Sequence, residues 1–284
     1  MSTKLKIAAA VAAAVLLSAC SSPKHEPMPL VKFTPSMEVT EVWSKGLSSA
    51  EGFLVPAVYD DMVFAAGGKT LTRLNARTGE TEWSVSFNSP ITGGVGSDGY
   101  VTAVGLWDGN LEVVDAEGKV SWEKKLTTEL ASPPVVSHGL VIARTMDTPV
   151  SAFEASSGEL QWTYQRSQPA LTVRLPTRML AHDNFLLVGQ PNGHIVILDI
   201  ASGKPMFEFQ VAQAKGVTEV ERLVDVVGAP AFSDNLVCAA AFQGAVTCVD
   251  STNGQTRWTQ KIDAVAGPAI DEDNVYAVSV NGEV

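Results

Sequence analysis

Five times along this chain an apolar run meets an acidic or Asn residue, then a short turn ending in Gly, then an aromatic four residues on. The units are Asn75…Gly79…Trp83, Asp115…Gly118…Trp122, Glu154…Gly158…Trp162, Asp199…Gly203…Phe207 and Asp250…Gly254…Trp258. A pattern returning at this interval means one supersecondary unit stacked repeatedly, so the architecture has to be settled before any site is sought.

A second marker keeps step with the first. A polar turn precedes an apolar residue at Asp60-Asp61-Met62, Asp98-Gly99-Tyr100, His138-Gly139-Leu140, Asp183-Asn184-Phe185, Asp234-Asn235-Leu236 and Asp273-Asn274-Val275. From that apolar residue to the aromatic the distance is 21, 22, 22, 22 and 22 residues. The rigid stretch predicts three short strands, for example 140–144, 150–153 and 160–164, each β-branched or aromatic and bounded by turn residues. A further strand is expected before the turn, as at 134–136 and 230–232. Four antiparallel strands per forty-odd residues is the period of a propeller blade. A helical repeat is excluded, because no segment after the leader keeps apolar residues at i, i+3, i+4, i+7 over three turns. The expected fold is therefore an all-β propeller of four-stranded blades over residues 41–284, with about five and a half blades in the chain.

The ends fit that reading. Residues 39–47, with Trp43, resemble a lone fourth strand lacking its first three, of the kind that completes a last blade and closes a ring. The sixth unit begins at Ala269, and its aromatic falls due near position 297, beyond Val284. The expectation is a piece of a longer protein.

Residues 1–19 have the make-up of an export leader. Lys4 and Lys6 supply the positive start, residues 7–17 the apolar stretch, and Leu17-Ser18-Ala19-Cys20 the cleavage site. Eleven apolar residues are too few for a permanent span. The Leu-Ser-Ala-Cys ending resembles a bacterial lipobox, which makes Cys20 the candidate lipidation site. Ser21, where Asp would resemble an inner-membrane retention signal, directs the expectation to the outer membrane. Residues 20–40, with four prolines, read as a lipidated flexible tether. Without Lys4 and Lys6 the net charge goes from −11 to −13, which argues against nucleic acid as a partner.

Cys238 and Cys248 lie on the strands flanking Gln243-Gly244. In an oxidising compartment a disulfide between them would persist. A two-residue loop would set them on opposite faces, and an odd-length loop or a bulge would align them. Two buried thiols and a disulfide both stand as readings. The four histidines are scattered, and none forms a nucleophile or metal motif. The turn carboxylates at Asp60-Asp61 and Asp271-Glu272-Asp273 recur at one place in the unit, which marks tight-turn chemistry over calcium binding. The repeated Trp reads as a packing wedge between blades.

Irregularity carries the functional signal. From each aromatic to the next apolar marker the gaps are 17, 18, 23, 29 and 17 residues, so the variation lies wholly in the loops between blades. Two consecutive loops, 166–180 and 211–229, are enlarged on one face. Insertions confined to one face of an array build binding surfaces, and neutral elaboration is the alternative. The first loop holds Leu171-Thr172-Val173-Arg174, and the second runs from Thr218 through Arg222 to Asp225. Apolar residues beside a guanidinium and carboxylates suit protein recognition.

The Asp-x-x-x-Gly-x-x-x-Trp units are similar to the quinoprotein-dehydrogenase type of propeller repeat. Taken with the lipobox, the acidic balance and the Thr-Glu-Val-Glu-Arg-Leu-x-Asp loop, they make the chain resemble the BamB family of outer-membrane assembly lipoproteins. The resemblance implies an eight-bladed, non-catalytic scaffold without cofactor, lipid-anchored to the cell outer membrane on its periplasmic face. It implies binding to the periplasmic domains of the barrel-inserting subunit BamA, and contact with unfolded outer-membrane protein clients. By the same resemblance Leu171, Val173, Arg174 and Asp225 are the partner-binding residues, and Val227 stands where the family has a second Asp. The main rival is a periplasmic quinoprotein dehydrogenase, which needs a vicinal Cys-Cys pair and calcium ligands. An envelope-binding propeller with a different client is the third reading.

Overall fold

The computed structural model describes residues 32, 34–35, 37–49, 54–167, 169, 171–173, 175 and 177–284. The leader, Cys20 and Arg174 lie outside the described residues. Among the described residues there are twenty-two strands and no helix. Blade 1 comprises β1 (Ala57–Tyr59), β2 (Met62–Gly67), β3 (Thr70–Asn75) and β4 (Thr81–Ser86). Blade 2 follows with β5 (Ile91–Ser97), β6 (Thr102–Leu106), β7 (Asn110–Val114) and β8 (Val120–Lys125). Blade 3 is β9 (Val135–Ser137), β10 (Leu140–Arg144), β11 (Val150–Glu154) and β12 (Leu160–Tyr164). Blade 4 is β13 (Leu180–His182), β14 (Phe185–Gln190), β15 (His194–Asp199) and β16 (Pro205–Gln210). Blade 5 is β17 (Val226–Ser233), β18 (Leu236–Ala241), β19 (Ala245–Asp250) and β20 (Thr256–Lys261). A sixth unit holds β21 (Ala269–Ile270) paired with β22 (Val275–Tyr276). Each of the five four-stranded sheets is ordered as in the sequence and wholly antiparallel. The propeller of four-stranded blades is thus the observed fold.

The core is a series of layers between blades, and the period-2 alternation of strands builds it. On β10, Val141 enters the layer shared with blade 2, while Leu140 and Ile142 enter the layer shared with blade 4. On β14, Leu186 and Val188 face blade 3, and Leu187 faces blade 5. Middle strands are therefore apolar on both faces, and every residue of β10 is buried. The outermost strands are mostly exposed, as in β20. One register shift recurs between the third and fourth strands of each complete blade, at Arg73/Leu74, Val113/Val114, Ala152/Phe153, Ile197/Leu198 and Cys248/Val249. This bulge re-aims the fourth strand just before its aromatic.

The repeated aromatic fastens one blade to the turn of the next. Trp83 donates its indole N–H to the Ala116 carbonyl at 2.9 Å, Trp122 to Ala155 at 2.8 Å, and Trp162 to Ile200 at 2.9 Å. The ring lies against the turn glycine. A Cβ at Gly118 would sit 2.7 Å from the Trp83 ring, and the φ of +81° lies in the left-handed region, so space and backbone both demand glycine. Trp43 makes the same bond to Ala76 at 2.8 Å and covers Gly79. Residues 39–47 are nonetheless not a strand, contrary to the sequence expectation. A strand is defined by ladder bonds to a neighbour, and this segment has no such neighbour among the described residues. Blade 4 departs from the pattern, since Phe207 has no indole to donate.

Cys238 and Cys248 are directly opposed in the β18–β19 register and joined as a disulfide with Cα atoms 4.1 Å apart. The connecting loop, 242–244, is the odd-length case, which sets both side chains on one face. They are therefore not two separate buried thiols.

Candidate functional site at the enlarged-loop face

In each blade the first-to-second and third-to-fourth strand turns lie at one end, and the second-to-third turns and interblade loops lie at the other. Backbone bonds tie each set together: Ala155 N–H to Gly139 O at the first end, Leu126 N–H to Gly109 O at the second. Asp60 and His138 occupy the first end with φ of 48° and 56°. Asp98 and Asp271 there serve their own turns, and Asp61 pairs with Arg77. Asp271 accepts from the Asp273 and Asn274 N–H groups at 2.9 and 2.7 Å and from the Tyr276 hydroxyl at 2.7 Å. Among the described residues no group of three or more His, Cys, Asp or Glu could hold a metal ion.

Both enlarged loops rise from the other end, and they touch. Asp225 makes the join: one carboxylate oxygen accepts from Val173 N–H at 2.5 Å, the other from Asn192 N–H at 3.4 Å. Thr177 and Gly228 form a parallel bridge, and Arg178 N–H donates to Gly228 O at 3.0 Å. The tip of the second loop has its own fastening. Glu221 accepts from the Val217 and Thr218 N–H groups at 2.9 and 3.0 Å, while Thr218 Oγ1 accepts from Glu221 N–H at 3.3 Å. That reciprocal pairing is a capping box. The same bonds hold the Glu221 carboxyl below its ordinary pKa.

The residues singled out from the sequence meet different fates. Leu171 is 42% exposed, and Val173 is half-buried beside it. Asp225 is only 6% exposed, and both its oxygens are engaged within the chain. The sequence reading had Asp225 contact a partner directly; in the structure it is the internal clamp between the two loops. Burial pushes its carboxyl above the ordinary value, opposed by the two backbone bonds and by the nearby Arg144 charge. Val227 is 1% exposed, in the layer with Ala240 and Val246, so this position offers no surface contact. Three further exposed apolar residues on this face went unnoticed in the sequence: Val217 and Val220 at the second loop's tip, and Trp107, 61% exposed, at the β6–β7 turn. The signal for Trp107 was available, because an indole at a hairpin tip has no blade to fasten.

Beneath the loops, where the inner strands of blades 2 to 5 begin, lies a cleft of about 320 Å³. Arg144 is buried in its wall and donates to Gly189 O at 2.6 Å. A separate groove of about 450 Å³ runs along the outside of the seam between blades 4 and 5, around Phe207.

With that geometry in hand, comparison with known proteins is decisive. A family model described as outer membrane protein assembly factor BamB matches residues 67–284. The chain belongs to the BamB family. A relative from Burkholderia pseudomallei, named outer membrane protein assembly factor BamB, is 37% identical over 270 residues, 93% of this chain and 71% of its own length. The crystal structure of BamB from Moraxella catarrhalis superposes with a TM-score of 0.74 at 27% identity, over 81% of this chain and 70% of that one. A quinohemoprotein alcohol dehydrogenase from Pseudomonas putida matches with a TM-score of 0.57 at 16% identity, over 80% of this chain and 46% of that one. That last likeness is one of fold alone. The quinoprotein reading is not favoured, and the chain's cysteines include no vicinal pair.

Proposed function

We propose that this BamB-family chain is a non-catalytic scaffold lipoprotein on the periplasmic face of the outer membrane. In this reading it binds the periplasmic domains of the barrel-inserting subunit BamA through its enlarged-loop face and assists assembly of unfolded outer-membrane protein clients. One observation carries the site: two loops from neighbouring seams are clamped by Asp225 into a single surface that leaves Leu171 exposed. Preorganisation of that kind lowers the ordering cost of association. Arg174, next in sequence to the clamped Val173, supplies a guanidinium for a charge-assisted bond to a partner carboxylate. Cys20 at the end of the lipobox supplies the anchor.

The test is a titration of Leu171→Asp, Arg174→Ala and His138→Ala variants against the purified periplasmic domains of BamA. Losing an Arg from a buried interface costs about 2 kcal/mol, roughly thirtyfold in affinity. His138→Ala, at the opposite end, should bind as wild type. Equal losses at Arg174 and His138, or none at Leu171 and Arg174, would reject the location. For the absence of catalysis, stoichiometric quinone binding with dye-linked alcohol oxidation by the calcium-loaded protein would overturn the reading.

A further inference from the structure

We propose that the cleft under the loops is a receptor for a single carboxylate group, with Arg144 as its anchor. The inference rests on the loop-face reading only for what would carry the carboxylate. Arg144 is 6% exposed at the end of β10 and reaches across the seam to blade 4. A guanidinium has five N–H donors. Among the described residues the Arg144 guanidinium makes one hydrogen bond, to Gly189 O, and no ion pair within 4 Å. Its Nε is enclosed and without a partner. Burying a guanidinium is costly, and the nearby Asp225 charge offsets part of that cost without an ion pair within 4 Å, which leaves N–H donors of Arg144 free for a second acceptor.

Two further orphans line the same cleft. Thr92 Oγ1, from β5, and Ser132 Oγ, from the loop before β9, are buried without partners, and both residues line the cavity with Arg144. The residues that carry three of the four such atoms among the described residues therefore line one space. Two hydroxyls and a guanidinium form a donor set, which a carboxylate matches with two acceptor oxygens. Asp225 also lines the space, but its oxygens are held by the Val173 and Asn192 N–H groups. Burial lowers the Arg144 pKa to about 10, opposed by the Asp225 charge, so Arg144 remains cationic at neutral pH. At about 320 Å³ the cleft has room for one short side chain or a chain end.

The experiment follows the Arg144 Nε–H signal in proton–nitrogen spectra of the intact protein, assigned by its absence from Arg144→Lys. Three probes are titrated: a blocked Gly-Asp-Gly tripeptide, its blocked Gly-Asn-Gly counterpart, and N-acetylated Gly-Gly-Gly with a free C-terminus. At least one carboxylate probe should shift the signal, and the Asn tripeptide should not. The blocked Asp tripeptide acting alone identifies an inserted acidic side chain, and the free C-terminus acting alone identifies a chain end. Arg144→Lys should weaken binding about tenfold or more, and Thr92→Val with Ser132→Ala about tenfold together, each corresponding to a charge-assisted bond. No shift of any arginine Nε–H signal with either carboxylate at millimolar concentration, or an equal shift with the Asn tripeptide, overturns the proposal, whether or not Arg144→Lys folds. Leu171→Asp should bind the tripeptide normally while losing the protein partner, which separates failure here from failure of the loop-face reading.

Discussion

Phe207 is the one fastening aromatic of the complete blades that is not Trp, and replacing it measures what the indole contributes. Its ring tip meets Gly254, and Ser251, whose carbonyl is the equivalent acceptor by position, lines the adjacent groove of about 450 Å³. The Phe207→Trp variant has room for the larger ring and for the bond that Trp83, Trp122 and Trp162 make at 2.8–2.9 Å. One added hydrogen bond contributes about 0.5–1.5 kcal/mol net. Roughly 30 Å² of extra apolar area buried at about 25 cal/mol per Å² adds somewhat under 1 kcal/mol. The expected gain is about 1–2 kcal/mol, at roughly 2–4 °C per kcal/mol for a domain of this size. Calorimetry of the intact protein would show it. The reciprocal Trp162→Phe should lose about 1–3 kcal/mol, because the Ile200 carbonyl is left unpaired in a buried setting. If Phe207→Trp is neutral or destabilising and Trp162→Phe is neutral too, the indole bond does not fasten the seam.

Replacing Cys238 and Cys248 by Ala should lower stability by about 2–3 kcal/mol, the chain-entropy value for a closed loop of this length, measurable by urea titration. Asp250 has its carboxyl held down to about 2, first by the Thr252 hydroxyl and amide and then by Arg257, so its contribution is present above about pH 4 and lost between about 4 and 2. Arg257→Gln should flatten the acid limb of the stability profile over that window. Asp225 has the opposite sign: its raised pKa means that folding favours the protonated form, so the cost of Asp225→Asn should shrink as pH rises from about 4. A cost that grows instead would show that the charged form clamps the loops. Cys20→Ala should abolish fatty-acid labelling and outer-membrane fractionation; retention of either refutes attachment through that residue.

Spacing made most of the fold legible. The strands expected at 140–144 and 160–164 are β10 and β12 to the residue, because turn residues bound them on both sides. The strand expected at 230–232 is instead the eight-residue β17, whose register shifts between Val227 and Ala231, and a bulge leaves no fixed spacing to read. The adjacency of the two long loops was also legible, since consecutive interblade loops must be neighbours. What Asp225 does there was not. A carboxylate in a polar loop reads as exposed, and only the fold brings Val173 N–H across a sequence distance of 52 to meet it. Arg144 was hidden for the converse reason: it ends an apolar strand, and nothing local reveals that the strand's end faces a cleft. The cysteine pairing turned on loop parity, which Gln243 settles by adopting φ of 49° within a three-residue turn.

The seam bond has a direction. In every case the aromatic comes from the earlier blade and the acceptor from the later one, 33 residues on for Trp43, Trp83 and Trp122. A chain that emerges amino-end first therefore delivers each indole before its docking turn exists, and each blade waits for its successor to be locked. Cooperativity along such an array runs between nearest neighbours. Damage to one turn should thus unlatch the blade before it and spare the blade after it, a polarity that hydrogen exchange resolved by blade would register as a one-sided loss of protection.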